Sequence, residues 1–483
     1  MSPITLGSFK ETLNIPRPTL GQKPYVPDES NLSGIPQLLY VYPMKGTKVL
    51  YAASLSDEHL HSIGFEYGIK PDREVLISQI KQLTQIAKQN PSNEVILFIN
   101  GDFLDYLESY IWEYKDMPNH FTRDDSGRSV ELTKKILAAN DGVIESLKDF
   151  LRASDRTRIV ATIGNHDRRL QYDKNLPSLV QEALLPSASW TERDERIMFT
   201  SLRAICPELE LYVEHGDRLD SCDYTNGLDD PSKSTWGDNL SYVTINLLKR
   251  QAEEIDQLRE EGALSLSEAT EVVKDILGAE SIRNIPLFEA YLDNVCNKHC
   301  SSLKEQGRDR VARKVKSAFK SGIKEFANRL KEAPFLNYFV GGFFAKCLYP
   351  LAQLRVIREG FCLAADYIYK EKTHNNKYQI SGTNEILEMY PKTKITTMGH
   401  IHIPFMYESG DKKIHVTTGA FIPQMQGVKS GPWYKPQADF EKPVCPPAGL
   451  LLWRDLESVD KIVKGETFDK SGEVKLIEYS LDS

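Results

Sequence analysis

Five short blocks of carboxylates and imidazoles punctuate the chain: Asp57-x-His59, Gly101-Asp102-x-x-Asp105, Gly164-Asn165-His166-Asp167, His215-Gly216-Asp217 and Gly399-His400-x-His402. The chain has ten histidines, and five of them fall in these blocks. Oxygen and imidazole donors without thiolate suit catalytic manganese, iron or zinc better than a structural zinc centre. Two divalent cations about 3.5–4 Å apart can lower the pKa of a bound water and clamp the oxygens of a phosphoryl group. A carboxylate bridge holds cations that close together, and Asp102 has the position for it. With Asp57 and Asp102 as the only anionic ligands, two dications keep a formal charge of about +2 to meet an anionic substrate.

Each block follows an apolar run that reads as a buried strand. Lys48–Ser54 leads to Asp57, Glu94–Asn100 to Asp102, Thr157–Ile163 to Gly164, Glu208–Val213 to His215, and Lys394–Met398 to Gly399. Polar residues at strand ends gather at one edge of a sheet, where open α/β folds bind their ligands. Helical spacing is expected over Arg73–Gln89 and from about Ser129 to Ala153, with a short helix and one connecting strand between Asp167 and Glu208. Phe405–Tyr407 and Ile414–Val416 read as a hairpin around a Ser409-Gly-Asp411 turn, and Gly449–Trp453 and Val474–Tyr479 as the last strands.

In this order and placement the blocks resemble the calcineurin-like metallophosphoesterase superfamily, over residues 48–220 and 394–420. The resemblance implies a four-layer α/β/β/α sandwich and a dinuclear site. It places Asp57, His59, Asp102 and His402 at one metal, and Asp102, Asn165, His215 and His400 at the other. His166 would face the substrate as general acid or phosphate stabiliser, with Asp167 orienting its imidazole. Glu214–Asp217 and Val416–Ala420 look like the bacterial branch that includes UDP-diacylglucosamine pyrophosphohydrolases, which have Arg where this chain has His166. The implied activity is hydrolysis of a phosphate ester or pyrophosphate by metal-activated hydroxide, with two divalent ions, manganese first and iron or zinc as alternatives. Asp105 and Asp217 stand between anchoring the ligands and forming turns. Arg168 and Arg169, directly after the proposed acid, are candidates for a phosphate contact.

The division expected along the chain is an irregular, proline-rich extension over 1–46, a first core part over 47–221, a helical insertion over 222–390 and a second core part over 391–483. Residues 304–332 carry ten Lys or Arg against four Asp or Glu. Together with the apolar run to Ala345 they form a candidate lid or surface for nucleic acid or lipid, or simply a helix with a solvated cationic face. A net charge of -8 opposes a surface built throughout for nucleic acid. Seven cysteines without regular spacing fit a reducing compartment. Cys296-x-x-x-Cys300 lacks the second ligand pair of a zinc finger and reads as packing, and His61, His120, His374 and His415 read as ordinary polar residues. No secretory signal or spanning segment is recognisable, which points to a soluble cytoplasmic phosphoesterase acting on a phosphorylated substrate. Two alternatives share the motifs: a DNA nuclease of the double-strand-break-repair type, and a non-catalytic scaffold.

Overall fold

A computed structural model describes residues 35–62, 73–113, 126–173, 175–219, 236–277, 285–319, 377–400, 405–409, 413–418, 449–468 and 474–481. Val49–Leu55 (β2), Asn93–Asn100 (β3), Thr157–Thr162 (β4) and Ile197–Thr200 (β5) pair in parallel, in that order. Leu450–Asp455 (β11), Ile462–Phe468 (β12) and Val474–Ser480 (β13) extend this sheet antiparallel beyond β2, to seven strands. The second sheet has six strands: Leu38–Tyr40 (β1), Arg203–Cys206 (β6), Leu211–Glu214 (β7), Ile395–Met398 (β8), Ile414–Thr417 (β10) and Phe405–Glu408 (β9).

Alternation along the strands decides the layers, because successive side chains leave on opposite faces. Leu50, Ala52, Ile96, Phe98 and Val160 point from the first sheet into a core shared with Ala204, Val213, Ile395 and Val416 of the second. The opposite faces of β2, β3 and β4 pack Ala53, Leu97 and Ile159 against Arg73–Gln89 (α1), Ser126–Ala139 (α3), Asp141–Arg152 (α4) and Asn175–Leu184 (α6). On the far side Tyr212 and Met398 meet Ile386 of Lys377–Met389 (α11). The result is helices, sheet, sheet and helices, a four-layer α/β/β/α sandwich. Trp236–Glu260 (α8), Leu266–Leu277 (α9), Ile285–Glu305 (α10) and the helical residues 309–319 share a separate apolar core that includes Ile255, Val272, Leu292 and Val315. These helices touch the sandwich where α8 meets Tyr106–Glu113 (α2), the helix that follows the second block.

Four local expectations are corrected. The extension to residue 46 is not irregular throughout, since Leu38–Tyr40 forms an edge strand parallel to β6. The helix drawn from Ser129 to Ala153 is two helices, because the buried Asn140 side chain donates to the carbonyls of Ile136 and His61 at the break. Two strands, β5 and β6, stand where one connecting strand is expected, and β12 is added to the last two. Its Lys464, Gly465 and Glu466 hide the strand pattern. Residues 320–345 of the basic segment lie outside the described residues. Among the described residues, no helix is long and apolar enough to cross a membrane.

Candidate metal centre

The loops after β2, β3, β4, β7 and β8 meet at the carboxyl ends of the two sheets. The first two loops continue the sheet's pairing: His59 N donates to Asp102 O at 2.8 Å, Leu60 N to Phe103 O at 2.9 Å and Asp105 N to Leu60 O at 2.9 Å. Gly399 N donates to His215 O at 2.9 Å, which ties together the two loops of the second sheet. Six non-glycine residues among those described have positive φ, and four of them are here: Asp57 (55°), His59 (43°), Asp102 (53°) and His400 (68°). Left-handed backbone costs on the order of 1 kcal/mol or more at such residues, and it persists where the surroundings over-determine it. This strain is gathered at four of the expected ligands. Gly101 and Gly164 are needed for the same convergence, since an added Cβ at Gly101 would overlap the His215 ring and one at Gly164 would overlap the Asp102 carboxylate.

Asp102 is the centre of the arrangement. Its Oδ2 lies 3.1 Å from His215 Nε2 and 3.7 Å from His59 Nε2, while its Oδ1 accepts from His166 N at 2.8 Å. Ligand atoms of Asp57, Asp102 and His215 lie within 4.8 Å of one another, and so do those of His59, Asp102 and His166. Asn165 Oδ1 is 3.1 Å from His215 Nε2, and both Asp57 oxygens accept from His400 N at 3.0 Å. The His215 and His400 rings are 5.3 Å apart. Asp57, His59, Asp102 and His215 are buried, whereas Asn165 and His400 are half-buried. Six of the seven expected ligands are thus brought together. His402 lies outside the described residues.

His59 and His166 lie side by side. Asp105 joins them, its Oδ2 2.8 Å from His59 Nδ1 and 2.8 Å from His166 Nδ1, with the two rings 4.6 Å apart. This corrects the partner of His166. Asp167 does not orient its imidazole; it accepts from the backbone N–H groups of Gly164 and Phe103 and holds the loop closed. Asp217 pairs with Arg168 at 3.2 Å. Arg169 is buried and donates to Ser129 Oγ at 2.9 Å.

Electrostatics follow from this packing. Burial alone would lower the His166 imidazole, but the Asp105 and Asp102 carboxylates beside it outweigh that and push it up to about 10. Burial would raise Asp105 and Asp102, and the neighbouring imidazoles hold both below the usual carboxylate range. Burial, then Asp102, pushes the Asp167 carboxyl up to about 7. Two further groups were not singled out as ligands. Glu108 sits beside Asp105 and His166, and the spacing of one helical turn after Asp105 was the available signal. His61 is buried behind the first block.

The donors fit a pair of divalent cations. Carboxylate, imidazole and amide oxygen are present without thiolate, and one carboxylate is common to two clusters. No known family model matches this chain, and no curated protein does. A solved structure of a dimetal phosphatase from Danio rerio aligns with 90% of this chain and 100% of its own, at 10% identity and a TM-score of 0.32. That likeness is too distant to bear on the chemistry.

Proposed function

We propose that this chain is a dinuclear metal-dependent phosphoesterase that hydrolyses a phosphate ester or pyrophosphate. One observation carries the reading: Asp102 belongs at once to a cluster with Asp57 and His215 and to a cluster with His59 and His166. A carboxylate shared in this way is what two neighbouring cations need from a protein. Asp57, His59, Asp102, Asn165, His215 and His400 would hold the ions, together with His402. Two divalent ions, manganese first, supply phosphoryl charge neutralisation and an acidified water when bound.

The chain's own residues do the rest. His166 gives Nδ1 to Asp105, which leaves Nε2 as the ring nitrogen able to donate to a leaving oxygen. Asp105, whose backbone N–H donates to Leu60 O at 2.9 Å and whose Oδ1 accepts from Glu108 N at 2.7 Å, keeps that ring from turning. Asp167 closes the loop on which Asn165 and His166 stand. Arg168, half-buried and paired with Asp217, is the nearer of the two arginines to a phosphate role, and Arg169 belongs to packing. The ligand set gives no support to a scaffold that has lost its site.

The test is turnover of an aryl phosphodiester with added manganese. Asp102→Ala and His215→Ala should abolish it and lower the metal content. Full activity in either variant, with elemental analysis showing the ions gone, would refute the assignment.

A further inference from the structure

Between the first two expected ligands, Asp57 and His59, stands a residue with no part in the centre as built so far. Glu58 is 1% exposed, and among the described residues neither of its carboxylate oxygens has a hydrogen-bond partner. No lysine, arginine or histidine among them pairs with it either. The carboxylates around it are satisfied: Asp57 accepts from His400 N, Asp102 from His166 N, and Asp167 from the N–H groups of Gly164 and Phe103. A buried carboxylate without a partner is costly, and each instance in a folded chain calls for an explanation.

Its surroundings supply one. The charged groups that act on Glu58 most strongly are Asp57, Asp167 and Asp102, all acidic, and two of them are expected ligands. Cations bound by those ligands reverse the sign of this environment. The loop that carries Glu58 is also fixed on both sides. Asp57 and His59 both have left-handed backbone, Asp57 N donates to Gly101 O at 3.2 Å, and His59 N donates to Asp102 O at 2.8 Å. Among the described residues Glu58 belongs to none of the three-donor clusters around Asp102, so it would act on the ions by charge rather than as a ligand.

Resting on the dinuclear reading above, we propose that Glu58 is an affinity-determining anion of the metal centre, a carboxylate outside the ligand set whose charge the two divalent ions balance. With Asp57 and Asp102 as anionic ligands the pair keeps a formal charge of about +2, and Glu58 lowers it to about +1. Attraction between charges in a buried site is screened far less than in water, so a carboxylate that touches neither ion still strengthens their binding. Removing the charge while keeping the shape weakens manganese binding by about 10–100-fold, the scale for groups that support metal ligands from outside. The metal-free fold loses nothing by the change, because the group removed has no partner there.

Two measurements on the full chain test the proposal without reference to turnover: equilibrium dialysis against Mn2+ with elemental analysis, and urea unfolding of metal-free protein in EDTA. Glu58→Gln should bind manganese about 10–100-fold more weakly than wild type, with a metal-free urea midpoint no lower. Glu58→Asp, which keeps the charge, should stay within a few-fold of wild type. Unchanged affinity in Glu58→Gln, or equal losses in the Gln and Asp variants, overturns the role assigned to charge and leaves the dinuclear centre standing. A lowered metal-free midpoint in Glu58→Gln makes Glu58 a packing residue and overturns the proposal as well. No uptake by wild type removes the dinuclear reading with it. Should Glu58→Gln fail to fold, Glu58→Met, unbranched and uncharged, takes its place under the same two readouts, and failure of both to fold counts as a packing role.

Discussion

Asp105 and His166 are joined by a 2.8 Å contact between Oδ2 and Nδ1, across 61 positions of sequence. The pair couples the loop after β3 to the loop after β4, and the same Oδ2 also meets His59. Asp105→Asn should therefore lower turnover by about 10²–10⁴-fold at each protein's best manganese concentration, with ion content retained at saturation. Asp167→Asn should behave differently, because Asp167 accepts two backbone N–H groups and has no part in holding the ring. Its effect should fall on folding stability first. Steady-state kinetics and urea unfolding on the two variants, side by side, separate these roles.

Gly164 stands where a methyl group would meet the Asp102 carboxylate. Gly164→Ala should displace the carboxylate proposed to bridge the ions and weaken their binding by about 10–100-fold, as loss of a ligand's supporting contacts does elsewhere. The fold should survive, since the strand before it is unaffected. Manganese uptake by dialysis, checked against an unchanged far-ultraviolet circular dichroism spectrum, measures this; undiminished uptake would count against the bridging role.

His415 provides a pH probe remote from the centre. Its ring is buried on β10 beside the hydroxyls of Thr396 and Thr383, and burial lowers its pKa to about 3. The ordinary value of about 6.5 applies once the chain unfolds. Between these values the unfolded chain carries a proton that the folded chain does not, so stability rises with pH in that window. The contribution is complete above about 6.5 and is lost at up to about 1.4 kcal/mol per unit as pH falls toward 3. Urea midpoints of wild-type and His415→Gln protein across this range should converge as the medium is acidified.

Glu94 and Arg158 form a buried ion pair between neighbouring strands of the first sheet. Glu94 also accepts from Met44 N at 2.6 Å and from Thr47 Oγ, while Arg158 donates to Tyr42 O at 2.7 Å. Removing one partner leaves a buried charge, at a cost of about 3–5 kcal/mol. Glu94→Ala should lower the unfolding free energy by that order and loosen the segment after β1. Replacing both residues by apolar ones should recover much of the loss.

The sequence by itself determined the strands that carry the site and the residue types at their ends. Apolar runs before Asp57, Asp102, Gly164, His215 and Gly399 are burial patterns written locally, and burial is what forms β2, β3, β4, β7 and β8. Where the pattern is weak, as in the polar β12 or the three-residue β1, local sequence says little. Which side chain meets which was decided only by tertiary structure. His166 has Asp167 as its neighbour in sequence, yet its ring rests on Asp105, because Asp167 turns back to close its own loop while Asp102 and Asp105 arrive from the adjacent parallel strand. The direction in which a side chain leaves a left-handed residue at a strand end depends on strand order and sheet spacing, and neither is encoded in the residues nearby.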